Sequence, residues 1–270
     1  MLYYGDGQRN GSMVPFNFYL MRSLKNDSTA GDIVNYINDW IKRMPPGVSA
    51  NWVLGNHDNP RYSTRLGVQR ADLFTILLQT LPGNAVTYNG EELGMTDGKV
   101  TWEQTVDPQG CMQILAIMKT THVILAVHLT NGMPRKMLVC FSTADHTWLP
   151  VASNYRTLNA LAQLRAPKSH LQMFMKLIRL RQLRSFQDGE LKIKAIGDDI
   201  IIYHTEAPRD ELFVIVLNLS GKRLQLNINE HFNMGGQAEV ITSSLQSTYH
   251  DGDIVDPRTY VAEPYVGVVW

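Results

Sequence analysis

Residues 51–61 read NWVLGNHDNPR. Residues 50–55 form a short, mostly apolar run closed by Gly55 and Asn56, the signature of a buried strand in a parallel sheet. His57 and Asp58 then stand where the chain leaves the sheet. In α/β barrels, polar side chains at the C-terminal ends of strands line the active site, whereas the opposite rim serves stability. A His-Asp pair there can bond vicinal sugar hydroxyls, and a carboxylate can stabilise positive charge on a developing oxocarbenium ion. Arg61 can pair with a carboxylate and hold it ionised. On pattern alone N-H-D-N-P is equally a turn, with Asp and Asn capping backbone amides before Pro60.

The flanking sequence sets this strand in an alternating pattern. Upstream, Ser28 or Thr29 can cap a helix whose apolar positions Ile33, Val34, Ile37, Trp40, Ile41 and Met44 share one face, and Pro45-Pro46-Gly47 stops it. Downstream, Leu73, Phe74, Ile76, Leu77 and Leu81 mark a second helix, ended by Pro82-Gly83. Residues 85–88 are the next strand, and Glu91 and Glu92 follow its end in AVTYNGEELGM. Adjacent carboxylates after an Asn89-Gly90 turn are more often structural than catalytic. Helix, strand, helix, strand with short connections is the grammar of a parallel α/β fold.

Two further helices are expected around Leu158–Leu164 and Leu171–Leu180, separated near Pro167. From Gln187 onward the pattern changes. ELKIKAI, DIIIYH, ELFVIVLNLS, RLQLNIN, AEVITS and TYVAEPYVGVVW are strand-like runs divided by GDD, PRD, SGK and MGG turns. The expected organisation is an α/β domain over 1–187 and an all-β domain, an antiparallel sandwich, over 188–270.

Composition narrows the function classes. Apolar residues make 44% and charged residues 19% of the 270, as in a soluble globular protein. Lys+Arg and Asp+Glu balance at 25 each, so no basic surface points to nucleic acid. No 18-residue apolar run offers a transmembrane segment, and MLYYGDGQRN has no signal-peptide core. Cys111 and Cys140 form neither a disulfide framework nor a C-x-x-C metal spacing, and no Asp/Glu/His cluster has metal-ligand spacing, so neither metal nor cofactor is expected. Sequons at Asn10, Asn26 and Asn218 favour a secreted glycoprotein.

NWVLGNHDNPR, LPGNAVTYNGEELGM, TVDPQGC and FSTADHTWLPVASNYRTLNALAQLRAPKSHLQMFMKLIRLR occur in this order. Together they resemble insect maltases, α-glucosidases of the α-amylase superfamily, over most of residues 1–204. The resemblance implies the C-terminal part of a (β/α)8 TIM barrel, strands about six to eight, followed by the β-sandwich. Residues 50–55 would be strand seven and residues 85–88 strand eight. His57 and Asp58 match the family's His-Asp pair that binds the glucose ring beside the cleaved bond, with Asp58 stabilising the transition state. Arg61 matches an arginine near the substrate entrance. Asn56, Glu91 and Glu92 match positions behind the site. The implied substrates are maltose, sucrose and short oligosaccharides, and the implied location is extracellular, secreted or surface-anchored. Oligomeric state is not implied.

Two features depart from that pattern. The family's nucleophile Asp, in G-F-R-x-D-A, and its acid/base Glu are not in these 270 residues, although retaining hydrolysis needs both. The expectation is an incomplete and inactive piece of an α-glucosidase. The alternatives are a non-catalytic binding or receptor-type paralogue and a pseudogene product. Second, residues 112–140, MQILAIMKTTHVILAVHLTNGMPRKMLVC, match nothing in a family that is matched on both sides. Codons compatible with this stretch, read one nucleotide out of phase, permit Asn-Ala-Asp-Pro, then Arg-Asp-Pro-x-Arg-Thr and Gln-Trp, then Asn-Ala-Gly. The family loop is therefore expected in the other frame, and no fold is assigned to 112–140.

Overall fold

The protein is described here by a computed structural model covering residues 2–5, 8–9, 11–101, 152–232 and 235–270. The expected frame shift at 112–140, both cysteines and the Asn10 sequon lie outside the described residues.

Helix α1 (Phe18–Ser23) leads into α2 (Ala30–Arg43). Of the two caps the sequence offered, Thr29 is used. Its hydroxyl accepts from the Asp32 amide at 3.1 Å while the Asp32 carboxylate accepts from the Thr29 amide at 3.0 Å, closing a capping box. Ser28 instead turns back to accept from the Lys25 amide at 2.9 Å. Helix α2 buries Ile33, Val34, Ile37 and Trp40, and Ile41 sits at the edge of that face.

Strand β1 (Asn51–Val53) pairs in parallel with β2 (Asn84–Val86), Trp52 opposite Ala85. Between them run α3 (Tyr62–Arg65) and α4 (Ala71–Thr80), whose ten residues are all buried. The turn before β2 needs Gly83. Its φ is +115°, and a Cβ would lie 2.7 Å from the Ala50 carbonyl that accepts from the Asn84 amide. Residues 14–17 run beside the other edge of β1, where the Asn17 amide donates to the Asn51 carbonyl at 2.9 Å. No strand precedes β1 among the described residues, although three barrel strands were expected. Pro15 supplies no donor for a ladder at this edge.

Helices α5 (Ala160–Arg165), α6 (His170–Leu180) and α7 (Arg184–Gln187) complete the helical part. Then β3 (Glu190–Ile196), β4 (Ile200–Glu206) and β5 (Phe213–Asn218) form an antiparallel meander. The sheet order is β3-β4-β5-β11-β8, with β8 (Thr242–Ser243) and β11 (Gly267–Val269). Two antiparallel ribbons pair β6 (Leu224–Leu226) with β10 (Tyr260–Ala262), and β7 (Ala238–Glu239) with β9 (Ile254–Val255).

The two faces of the sheet serve two cores. Ile201, Tyr203, Phe213, Ile215 and Leu217 join the core made by α2, α4 and β1. Ile200, Ile202, Val214 and Val216 join Val255, Tyr260 and Trp270 in a second core. Alternation with both faces apolar is what a sheet covered on both sides requires. It also welds the helical part to the β part through one continuous apolar layer.

Candidate active site

The site is built where β1 and β2 end. The strand apolar run stops at Gly55, and Asn56 makes an Asx turn by accepting from the Asp58 amide at 3.1 Å and from Asn59 Nδ2 at 2.8 Å. This turn lifts His57 and Asp58 off the sheet. Their side chains are 71% and 70% exposed, with His57 Nε2 3.4 Å from Asp58 Oδ1. The pair thus presents one donor-acceptor ring and one carboxylate, side by side, to solvent at the C-terminal end of a parallel strand.

Arg61 is placed differently from the expectation. It was expected to meet substrate near an entrance, but it is 1% exposed. Its backbone amide donates to both oxygens of Asp97, at 3.1 and 3.2 Å. Its Nη1 donates to the Asn89 carbonyl, and its guanidinium lies 5.0 Å over the Tyr88 ring. These contacts tie the loop after β1 to the loop after β2. Desolvating a guanidinium is costly, and the carbonyl and ring offset that cost.

Glu91 and Glu92 occupy a single 3-10 turn, Glu91–Leu93, bracketed by Gly90 and Gly94 at φ of +91° and +68°. Glu92 accepts from the Gly90 amide at 2.7 Å. Glu91 is 3% exposed and accepts from the Tyr88 amide at 2.8 Å. Burial raises its carboxyl from the ordinary range to about 8, against the lowering pull of the Tyr88 amide, Arg61 and Arg65.

Sequence reasoning passed over Arg65 and Asp97. Arg65 donates to the carbonyls of Met21, Leu24 and Leu54 at 3.1, 3.2 and 2.7 Å, and so bolts β1 to the end of α1. The signal available was Arg61 and Arg65 four apart, one helical turn, with no acid three or four residues from Arg65. Asp97 is far along the chain and carried no local signal.

Of the sequons, Asn26 is exposed. The expectation at Asn218 is corrected. Its side chain is fully buried, and Nδ2 donates to the carbonyls of Lys222, Ala262 and Glu263. That nitrogen is committed to the fold and has no room for a glycan. Among the described residues no group of three or more His, Cys, Asp or Glu could hold a metal ion, and no helix is long and apolar enough to cross a membrane.

Residues 1–189 match the family described as "Alpha amylase, catalytic domain". The chain belongs to the alpha-amylase family. Maltase A1 of Drosophila melanogaster is 52% identical over all of this chain, which spans 46% of that protein. The salivary alpha-glucosidase of Anopheles gambiae is 41% identical over 99% of the chain, which spans 45% of it. The chain therefore covers about half the length of these relatives. The trehalulose synthase MutB of Pseudomonas mesoacidophila superposes with a TM-score of 0.77 at 21% identity, over 98% of this chain and 51% of that one. At that identity the likeness concerns the fold alone. The matched span covers the parallel β1–β2 pair and the turn that presents His57 and Asp58.

Proposed function

We propose that the complete protein containing this chain is a retaining α-glucosidase that releases terminal α-linked glucose from maltose, sucrose and short oligosaccharides. The observation that carries this reading is the exposed His57–Asp58 pair at the C-terminal end of a buried parallel strand. It stands in a chain that is 52% identical throughout to a protein named maltase. In this reading His57 bonds hydroxyls of the glucose ring and Asp58 faces the positive charge that develops as the bond to the leaving sugar breaks. That charge exists only on the way to the transition state, so the Asp58 carboxylate acts on the chemical step more than on binding. The nucleophile and the acid/base carboxylate come from residues outside these 270, because a retaining mechanism needs both. Strands β1 and β2 are barrel strands seven and eight. Residues 1–187 belong to the barrel domain and 188–270 to the sandwich. A secreted location is consistent with an exposed sequon at Asn26.

The test is glucose release from maltose and sucrose by the complete protein, with the anomer followed by NMR. The expected product is α-glucose. The Asp58→Asn variant is expected to lose about 10²- to 10³-fold in kcat with little change in KM. A wild-type protein that releases no glucose, or a variant with full kcat, sinks the reading. The 270-residue chain alone, holding one of the three carboxylates, is expected to release none.

A further inference from the structure

Glu91 is buried out of reach of substrate, yet its position is demanding. Its Oε1 packs against the backbone of Gly55. A Cβ at residue 55 would overlap that oxygen and lie 3.1 Å from Glu91 Cδ. Its Oε2 accepts from the Tyr88 amide at 2.8 Å, at the end of the neighbouring strand. One carboxyl thus touches the last residue of the β1 run and the first residues beyond β2. Gly55 is followed directly by Asn56, whose Asx turn aims His57 and Asp58. Arg61 closes the same bracket from the other side, through the Asn89 carbonyl and the Tyr88 ring.

We propose that Glu91 is a positioning residue for the reaction assigned to Asp58: wedged against Gly55 and bonded to Tyr88, it fixes the end of β1 against the end of β2 and so sets the direction in which His57 and Asp58 leave the sheet. This rests on the α-glucosidase reading. A lateral shift of a charged group by an ångström or so costs transition-state stabilisation more than ground-state binding. Glu91 therefore acts on kcat without touching substrate.

The chemical state of the group fits a wedge better than a charge. Arg61, Arg65, Glu92, Tyr62 and Tyr88 are the ionisable groups that face it, and burial outweighs the two arginines in raising its carboxyl to about 8. Oε1 has no hydrogen-bond partner among the described residues, a poor setting for an ionised oxygen. Burial favours the protonated acid, and Gln is its near copy in shape and charge. Asp keeps an ionisable carboxyl but is one methylene too short to reach both Gly55 and the Tyr88 amide.

The experiment compares Glu91→Gln and Glu91→Asp in the complete protein, with kcat and KM for maltose and the unfolding temperature of each variant. Glu91→Gln is expected to keep kcat within about threefold, and Glu91→Asp to lose about tenfold or more, with KM in both within about twofold. Equal kcat values, a larger loss in Glu91→Gln, or a loss that appears only in KM overturns the inference. If Glu91→Asp does not fold, Gly55→Ala decides, since it displaces the same carboxyl: full kcat overturns the inference and a tenfold loss supports it. A wild-type protein that releases no glucose defeats the α-glucosidase reading and takes this inference with it. A working wild type with the wrong order of variants defeats only the inference.

Discussion

Asp58 follows β1 and Glu91 follows β2, two strands paired residue for residue, yet the Asp58 side chain is 70% exposed and Glu91 is 3% exposed. The turns make the difference. After β1 the Asn56 side chain caps the Asp58 amide and carries the chain outward. After β2, Gly90 and Gly94, both left-handed, fold residues 91–93 back under the end of β1. One acid meets solvent and is free to meet a ligand. The other is spent on holding two strand ends together. In this chain the turn after each strand, and not the acid's place past the strand end, decides which acid meets solvent.

The contrast can be broken most forcefully at the exposed acid. Asp58→Asn should leave kcat about 10²- to 10³-fold lower, while urea unfolding should show a stability change below about 0.5 kcal/mol, since the side chain supports little structure. The opposite result is expected at Asp72, a second buried acid, 2% exposed, which bonds His170 and accepts from the Leu245 amide at 2.7 Å. Asp72→Ala leaves both partners unpaired between helices α4 and α6 and the loop after β8, and should cost about 3 kcal/mol in the same unfolding measurement. A loss under about 1 kcal/mol would remove Asp72 from the structural class.

A finer test lies in the pH dependence. The Glu91 carboxyl rises from 4.5 to about 8 on folding. Between those values the folded chain binds the proton more tightly than the unfolded chain does. The stabilising contribution is therefore complete below the unfolded value and is lost as pH rises toward about 8. The expected slope from this group approaches about 1.4 kcal/mol per pH unit and levels off above pH 8. Denaturant titrations of wild type and Glu91→Gln across this window should show the slope shrinking in the variant. Parallel curves would mean that Glu91 ionises near its ordinary range.

Much of the fold was legible. The apolar spacing of residues 30–43 marked α2, because burial of one stripe leaves a 3.6-residue period, and the apolar density of 71–80 marked α4, which is buried on every side. The runs at 190–196, 200–206 and 213–218 are strands at nearly the expected bounds. AEVITS, expected as one strand, is two. The Val240 amide donates to Asp253, and the next amide, Ile241, donates to Val269, so the chain changes partner in mid-run. Strand β9 was missed because Ile254-Val255 sits among turn formers in DGDIVDP. Neither fact has a local signature, since ladder partners are chosen across the fold.

The sequence by itself determined the family, the alternation of helix and strand, the strand runs of the β part, and a polar turn at His57 and Asp58 where the chain leaves the first strand. These follow from local period, turn chemistry and an ordered set of motifs. Only the tertiary structure decided that Arg61 is buried, that Asn218 has no free amide, and that Glu91 wedges against Gly55. Burial depends on which segments meet, and Gly55 meets Glu91 across 36 residues of chain that local pattern does not span.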